Sequence, residues 1–385
     1  MARLDVDLVR SLAAFRAERG LAVSCFLGLD PAAVPTASEL ETHLASLVGE
    51  ARRLVQEAAG TLGHEDARHV REDVERIASF LEEEVDRAGA RGVALFVSGA
   101  DDVWEEVRLP LPVDDAVHLS TTFVLAPLLE SLERDRELIL AAVGRDRGTI
   151  WRSRSGRVRE VEDRSRDGQG QHGQGGWSQA RYARSLDREA LEHMEDVAEA
   201  IGELIPQGSD AFLVVACAEE QRNAFEELLE PHVRDALLGW ADVEAHADSD
   251  ALLADAERLL DERLAREREQ LLESWREERG QRSGRAAASW DEALAAAWDG
   301  RVESVLLDGR SHDAWECPTC GRGRAEAGAC VVDETPLEPA HGGALELVVR
   351  ATLLHGGSVR LLPGGQLDET DGVAALLRYA TMPAR

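Results

Sequence analysis

The chain has 385 residues, with 74 Asp and Glu against 43 basic residues, and carries a formal net charge of −31. Apolar residues make up 44% of it, enough for real cores, which excludes a globally disordered chain. No apolar run approaches the roughly 18 residues that span a bilayer, and so acidic a surface repels nucleic acid wherever the local sign does not invert; a membrane partner and DNA are therefore not expected. Every basic residue is Arg, a bias that composition alone produces and that is no sign of phosphate binding by itself.

Residues 3–19 have helical spacing with charges throughout, unlike the apolar centre of a secretory signal, and place the chain in the cytoplasm. "LAVSCFLGL" reads as a buried strand, 37–59 and 64–89 as long helices, and "GVALFVSG" and "VWEEVRLPLPV" as strands. This is an N-terminal α/β domain, residues 1–125, with no catalytic constellation. "RELILAAVGRDRGTIWRSRSGRVREV" then predicts a strand, a charged turn and two alternating strands. Periodicity breaks over "DRSRDGQGQHGQGGWSQARYARS" and returns as a helix from Leu186. "DAFLVVACA" is a buried strand and "QRNAFEELLEPHVRDALL" one helix, giving a middle α/β domain over 134–249. A long charged helix, 250–282, connects it to a third α/β domain, 283–385, where "SWDEALAAAWDG", "RVESVLLDG", "ALELVVRATLLHGG", "SVRLLPGG" and "DGVAALLRYA" alternate helix and strand.

The aperiodic stretch is the place where chemistry concentrates. Between Arg145 and Arg188 there are eleven Arg and six acids, a local charge of +5 inside a chain of −31. Glycines at 173, 175 and 176 let the backbone enter a crowded site, Arg181 and Arg184 offer forked donors to phosphate, and Tyr182 offers a face for a base. His172 adjoins them. Nucleic-acid contact and a flexible linker both fit these residues. A literal Gly364-Gly365-Gln366 occurs far away, in a context that reads as a tight turn.

Gly175-Gly176-Trp177-Ser178-Gln179-Ala180-Arg181-Tyr182-Ala183-Arg184 resembles the Gly-Gly-Gln loop of archaeal and eukaryotic class-I peptide chain release factors. "GRVESVLLDG" and "DGVAALLRY" resemble strands of that family's third domain, and the front of the chain resembles bacterial archaeo-eukaryotic release factor-like proteins. The resemblance implies a ribonuclease-H-like middle domain with a protruding Gly-Gly loop and a ribosomal-protein-like C-terminal α/β sandwich. It implies action at the peptidyl transferase centre of the large ribosomal subunit on peptidyl-tRNA, with Gly175, Gly176, Trp177, Ser178 and Gln179 as the catalytic segment and His172, Arg181, Tyr182 and Arg184 contacting RNA. Trp177 stands where the family has its Gln, and an indole offers one donor where the amide offers donors and an acceptor. Without Lys, and with only Tyr182 and Tyr379 as tyrosines, the chain lacks the family's codon-reading signatures, so rescue or quality control is expected rather than ordinary termination. Codon-independent ester hydrolysis, cleavage of the tRNA acceptor end and passive A-site occupancy in hibernation or stress are the open alternatives, together with an RNA-binding regulator unrelated to ribosomes.

Five cysteines occur. Cys25 and Cys217 lie in apolar runs and read as core thiols, while Cys317, Cys320 and Cys330 cluster. Cys317-x-x-Cys320-Gly is the turn of a zinc knuckle, with Asp333 where a fourth ligand belongs and His312 or His341 as alternatives. A structural Zn2+, or a knuckle that has lost its metal, follows; no organic cofactor is expected.

Overall fold

The computed structural model describes residues 4–83, 85, 90–154, 157–165, 179–242 and 248–380, with backbone alone over 179–187. It divides into two compact units, Met1–Asp135 with Arg266–Arg385, and Arg136–Ala265.

The first unit opens with α1 (Val6–Ala14), whose N-cap Asp5 accepts the Leu8 amide at 2.9 Å, satisfying a donor that the first helical turn leaves open. β1 (Ala22–Gly28) precedes α2 (Ala37–Ala58), started by a Thr36/Glu39 capping box, and α3 (His64–Glu83). β2 (Gly92–Ser98), β3 (Val103–Leu109), β4 (Ala116–Ser120) and the short α4 (Leu129–Arg134) follow. The strands form an antiparallel sheet in the order β3-β2-β1-β4. Because strand side chains alternate, Val23, Cys25 and Leu27 face the helical pair α2/α3, while Phe26 and its neighbours Ala94 and Phe96 face the other way.

In the second unit β5 (Leu138–Val143), β6 (Gly148–Arg154) and β7 (Arg157–Asp163) run antiparallel, as the alternation predicts. α5 (Gln179–Leu204) follows, then β8 (Phe212–Cys217), α6 (Glu219–Leu228), α7 (Pro231–Asp235) and β9 (Leu237–Trp240). The sheet order is β7-β6-β5-β8-β9, with β5, β8 and β9 parallel. Two expectations change here. α5 starts at Gln179, not Leu186, because Ala180, Arg181, Ala183 and Arg184 are good helix formers. The single helix expected over 221–238 splits at Pro231, whose ring and missing N–H suit a first helical turn but not an interior.

α8 (Ser249–Gln281) is the long charged helix. Leu252 and Ala256 near its start pack on the second unit's sheet; Leu272 and Trp275 pack in the first unit, under β strands of the C-terminal segment. That segment comprises β10 (Ala286–Ala287), α9 (Trp290–Trp298), β11 (Val302–Leu307), β12 (Trp315–Glu316), β13 (Gly323–Arg324), β14 (Glu338–Pro339), α10 (Gly343–Leu354), β15 (Ser358–Leu361) and β16 (Val373–Leu377). Its main sheet runs β10-β16-β11-β15. A small sheet, β13-β12-β14, was invisible to periodicity because two-residue strands have none.

Within this unit the N-terminal sheet and the C-terminal helices share one continuous core, with Phe26, Phe96, Phe123, Leu294 and Val348 in a single cluster. At its margin His341 Nε2 lies 3.3 Å from His118 Nδ1. Burial lowers the pKa of both rings, and for His118 the charge on His341 lowers it further against the opposing pull of Glu50. The native chain thus binds fewer protons here than the unfolded one, so the pair supports the fold above the ordinary His value of about 6.5 and loses that support as pH falls through the lowered native values. His118→Gln is expected to flatten the fall in urea midpoint between pH 7.5 and 5; a profile identical to wild type would show that the pair does not titrate with folding.

Candidate functional site

The densest cluster of ligand-type side chains lies on the small β13-β12-β14 sheet. Cys317 follows β12, and the chain turns back through Pro318, Thr319 and Cys320, with the Gly321 amide donating to the Cys317 carbonyl at 2.9 Å. Gly321 has φ +78°, a left-handed conformation that glycine adopts without strain. The turn aims amides at sulfur: the Cys320 amide lies 3.5 Å from Cys317 Sγ, and the Val332 amide 3.4 Å from Cys330 Sγ. The Thr335 amide donates to Asp333 Oδ1 at 3.1 Å, orienting that carboxylate.

One ligand atom each from Cys317, Cys320, Cys330 and Asp333 lies within 4.8 Å of all the others. Cys320 Sγ and Cys330 Sγ are 3.6 Å apart, and both Asp333 oxygens are 3.7 Å from Cys317 Sγ. These separations are too long for a disulfide, and all five cysteines are free. They do match the edges of a tetrahedron with bonds of about 2.3 Å to sulfur and about 2.0 Å to oxygen, which are roughly 3.8 Å and 3.5 Å long. Burial pushes the Cys317 thiol up, but the amides of Cys320 and Thr319 and the adjacent thiols outweigh it and hold the group below its ordinary value. The four residues can hold a metal ion. Neither histidine alternative joins them: His312 pairs with Asp371 at 3.2 Å, and His341 with His118. By contrast, burial drives Cys25 up to about 12 and Cys217 up to about 11, as befits inert core thiols.

The second candidate is the segment between β7 and α5. Its root is built on Gly148: the Arg164 amide donates to the Gly148 carbonyl at 2.8 Å, and the Gly148 amide lies 3.3 Å from Ser165 Oγ. A Cβ on Gly148 would sit 2.5 Å from Val197 Cγ2 and 3.1 Å from His193 Cε1, so only glycine lets α5 approach this closely. His193 is fully buried there, and neither ring nitrogen has a partner among the described residues. His172, Gly175, Gly176, Trp177 and Ser178 lie outside the described residues. Gln179, Arg181, Tyr182 and Arg184 fall on the first turns of the α5 backbone. The literal Gly364-Gly365-Gln366 is an exposed turn between β15 and β16, with Gly365 at φ +89°.

Residues 124–260 match the model of bacterial archaeo-eukaryotic release factor family 10. That span is release-factor-like. The matched span holds β5 to β9, α5 and the whole Gly-Gly segment. Peptide chain release factor subunit 1 of Methanopyrus kandleri strain AV19 is similar, 26% identical over 298 residues, which are 73% of this chain and 72% of the relative. Similar solved structures include the archaeal translation termination factor aRF1, at 15% identity over 98% of this chain and 99% of that one, with a TM-score of 0.28. Archaeoglobus fulgidus Pelota is 16% identical over 75% and 79% of the two chains, TM-score 0.34, and S. cerevisiae Dom34 is 10% identical over 76% and 82%, TM-score 0.41. Among the described residues, no helix is long and apolar enough to cross a membrane.

Proposed function

We propose that this chain is a cytoplasmic, ribosome-directed factor that presents the Gly175-Gly176 segment to the peptidyl transferase centre and promotes codon-independent hydrolysis of peptidyl-tRNA in rescue or quality control. The observation that carries the reading is the match of residues 124–260 to a release-factor family model, with Gly-Gly-x-Ser and Arg-Tyr-x-Arg inside the matched span. Gly175 and Gly176 admit the backbone to the crowded centre, Ser178 and Gln179 supply polar groups that orient water, and His172, Arg181, Tyr182 and Arg184 hold RNA. Backbone amides supply part of the charge stabilisation that ester hydrolysis requires. The sheet order β7-β6-β5-β8-β9 supports a ribonuclease-H-like middle domain, 134–249, between an N-terminal domain, 1–125, and, after the helix 250–282, a third domain, 283–385. The gathering of Cys317, Cys320, Cys330 and Asp333 within 4.8 Å supports zinc, which with all four positions taken by protein is structural.

Trp177 favours a second reading, A-site occupancy without turnover, because an indole cannot accept the hydrogen bond that an amide can. Ribosomes loaded with peptidyl-tRNA separate the two. Free peptide beside intact tRNA is the expected product; shortened tRNA indicates acceptor-end cleavage, and co-sedimentation with neither product indicates a binding factor. Gly176→Val is expected to lower release by about 100-fold, the order of effect of misplacing a reacting group by an ångström. Unchanged release would remove this segment from the mechanism.

A further inference from the structure

The β6–β7 hairpin sets Arg152 directly opposite Arg159, and Arg154 directly opposite Arg157. Residues two apart on a strand share a face, and so do opposed residues on neighbouring strands, so all four guanidinium groups rise from one face of the hairpin. Like charges placed opposite one another repel and weaken a sheet. Glu137 meets Arg152 and Arg154, at 3.0 Å from Arg152 Nε and 3.0 Å from Arg154 Nη1. Of the β7 acids, Glu160 is opposite Trp151 on the other face, while Glu162, opposite Ile150, shares the arginine face but pairs with Arg164 at 3.2 Å. Arg152 Nε is committed to Glu137, whereas Arg154 Nε and Nη2 are buried with no hydrogen-bond partner among the described residues. Arg157 and Arg159 are exposed. A chain of net charge −31 thus gathers four cations on one face of a strand pair.

We propose that this four-arginine face binds the phosphate backbone of RNA, a contact separate from the Gly-Gly segment. Two residues along a strand advance about 6.6 Å, so the two opposed pairs form two successive anion positions rather than one. Planar forked donors in fixed rows suit consecutive phosphates, and the exposed Arg157 and Arg159 are the members of the face that an incoming phosphate reaches first. The inference rests on the reading of the chain as a ribosome-directed factor.

The test uses the full chain and a 5′-labelled 20-nucleotide oligouridine, with fluorescence anisotropy read across a salt series. For single strands each phosphate contact contributes about 0.7 to the slope of log affinity against log salt. The double variant Arg157→Gln/Arg159→Gln is expected to lower that slope by about 1.4, and Arg157→Lys/Arg159→Lys to retain it; the Lys pair separates lost charge from lost folding. An unchanged slope in the Gln variant overturns the proposal. So does Arg-dependent binding of a labelled polyglutamate peptide without binding of oligouridine, which would assign the face to an acidic protein segment. The two readings fail separately: Gly176→Val affects peptide release and leaves this slope alone. If the wild type neither sediments with ribosomes nor releases peptide, an Arg-dependent slope still upholds the RNA contact.

Discussion

Replacing Glu346 with alanine is expected to lower the unfolding free energy by about 3–5 kcal/mol, the range for removing one member of a buried charged network. Glu346 lies on α10 at 2% exposure and accepts the amides of Leu125 at 2.8 Å and Ala126 at 3.0 Å. One turn along, Arg350 donates to Thr122 Oγ1 at 2.6 Å and to Glu316 Oε1 at 2.7 Å, and Arg16 pairs with the same carboxylate. Its guanidinium also sits 5.7 Å from the centre of the Trp298 ring. Alanine at 346 strands two buried amide donors, each at about 1–3 kcal/mol. Burial pushes the Glu346 carboxyl above the usual range despite the two amides and Arg350, so its charge is held at a cost that a neutral side chain escapes. Glu346→Gln, which keeps one acceptor, should therefore lose less than half of what alanine loses. Urea unfolding decides it: equal midpoints for the Ala variant and wild type would show that the network carries no net stability.

The purified chain is expected to hold about one zinc per molecule, and Cys317→Ser to hold less than about a tenth of that. Cys317 is fully buried and Cys330 nearly so, while Cys320 and Asp333 are exposed, so an ion held there would be anchored from the inside. Because ligands gathered around an ion exist only in the folded state, metal affinity adds directly to folding free energy. Chelation should lower the melting temperature of wild type and leave Cys317→Ser unmoved. A metal content of zero in protein prepared with zinc, with the same melting point in both chains, would rule the site out. Asp333→Cys, which completes a four-sulfur set, should hold the ion more tightly, whereas His341→Ala should leave the metal content unchanged, since His341 faces His118 instead.

Elements long enough to repeat their pattern were legible in the sequence. β1, β2, β5, β8 and the helices α2, α8 and α9 announce themselves because burial on one face, or on both, repeats every 2 or 3.6 residues. The Cys317-x-x-Cys320-Gly turn was equally plain, since its chemistry is local. Two-residue strands such as β12 carry no period, and Pro231 was overridden by the apolar residues around it, so these needed coordinates. The choice of Asp333 over His312 and His341 as fourth ligand also needed them, because a ligand is selected by distance in space, not along the chain.

The sequence by itself determined the local things: which segments are strands or helices, the sign inversion between Arg145 and Arg188, and the Gly175-Gly176 segment that aligns with release factors. The tertiary structure alone decided which residues meet. It joined Glu346 to Leu125, His118 to His341 and the N-terminal sheet to the C-terminal helices in one core. It also turned a count of eleven arginines into two opposed pairs on one hairpin face. The reason is physical: propensity and periodicity act over a few residues, whereas register and burial are set by packing between segments that lie far apart along the chain, which no local pattern encodes.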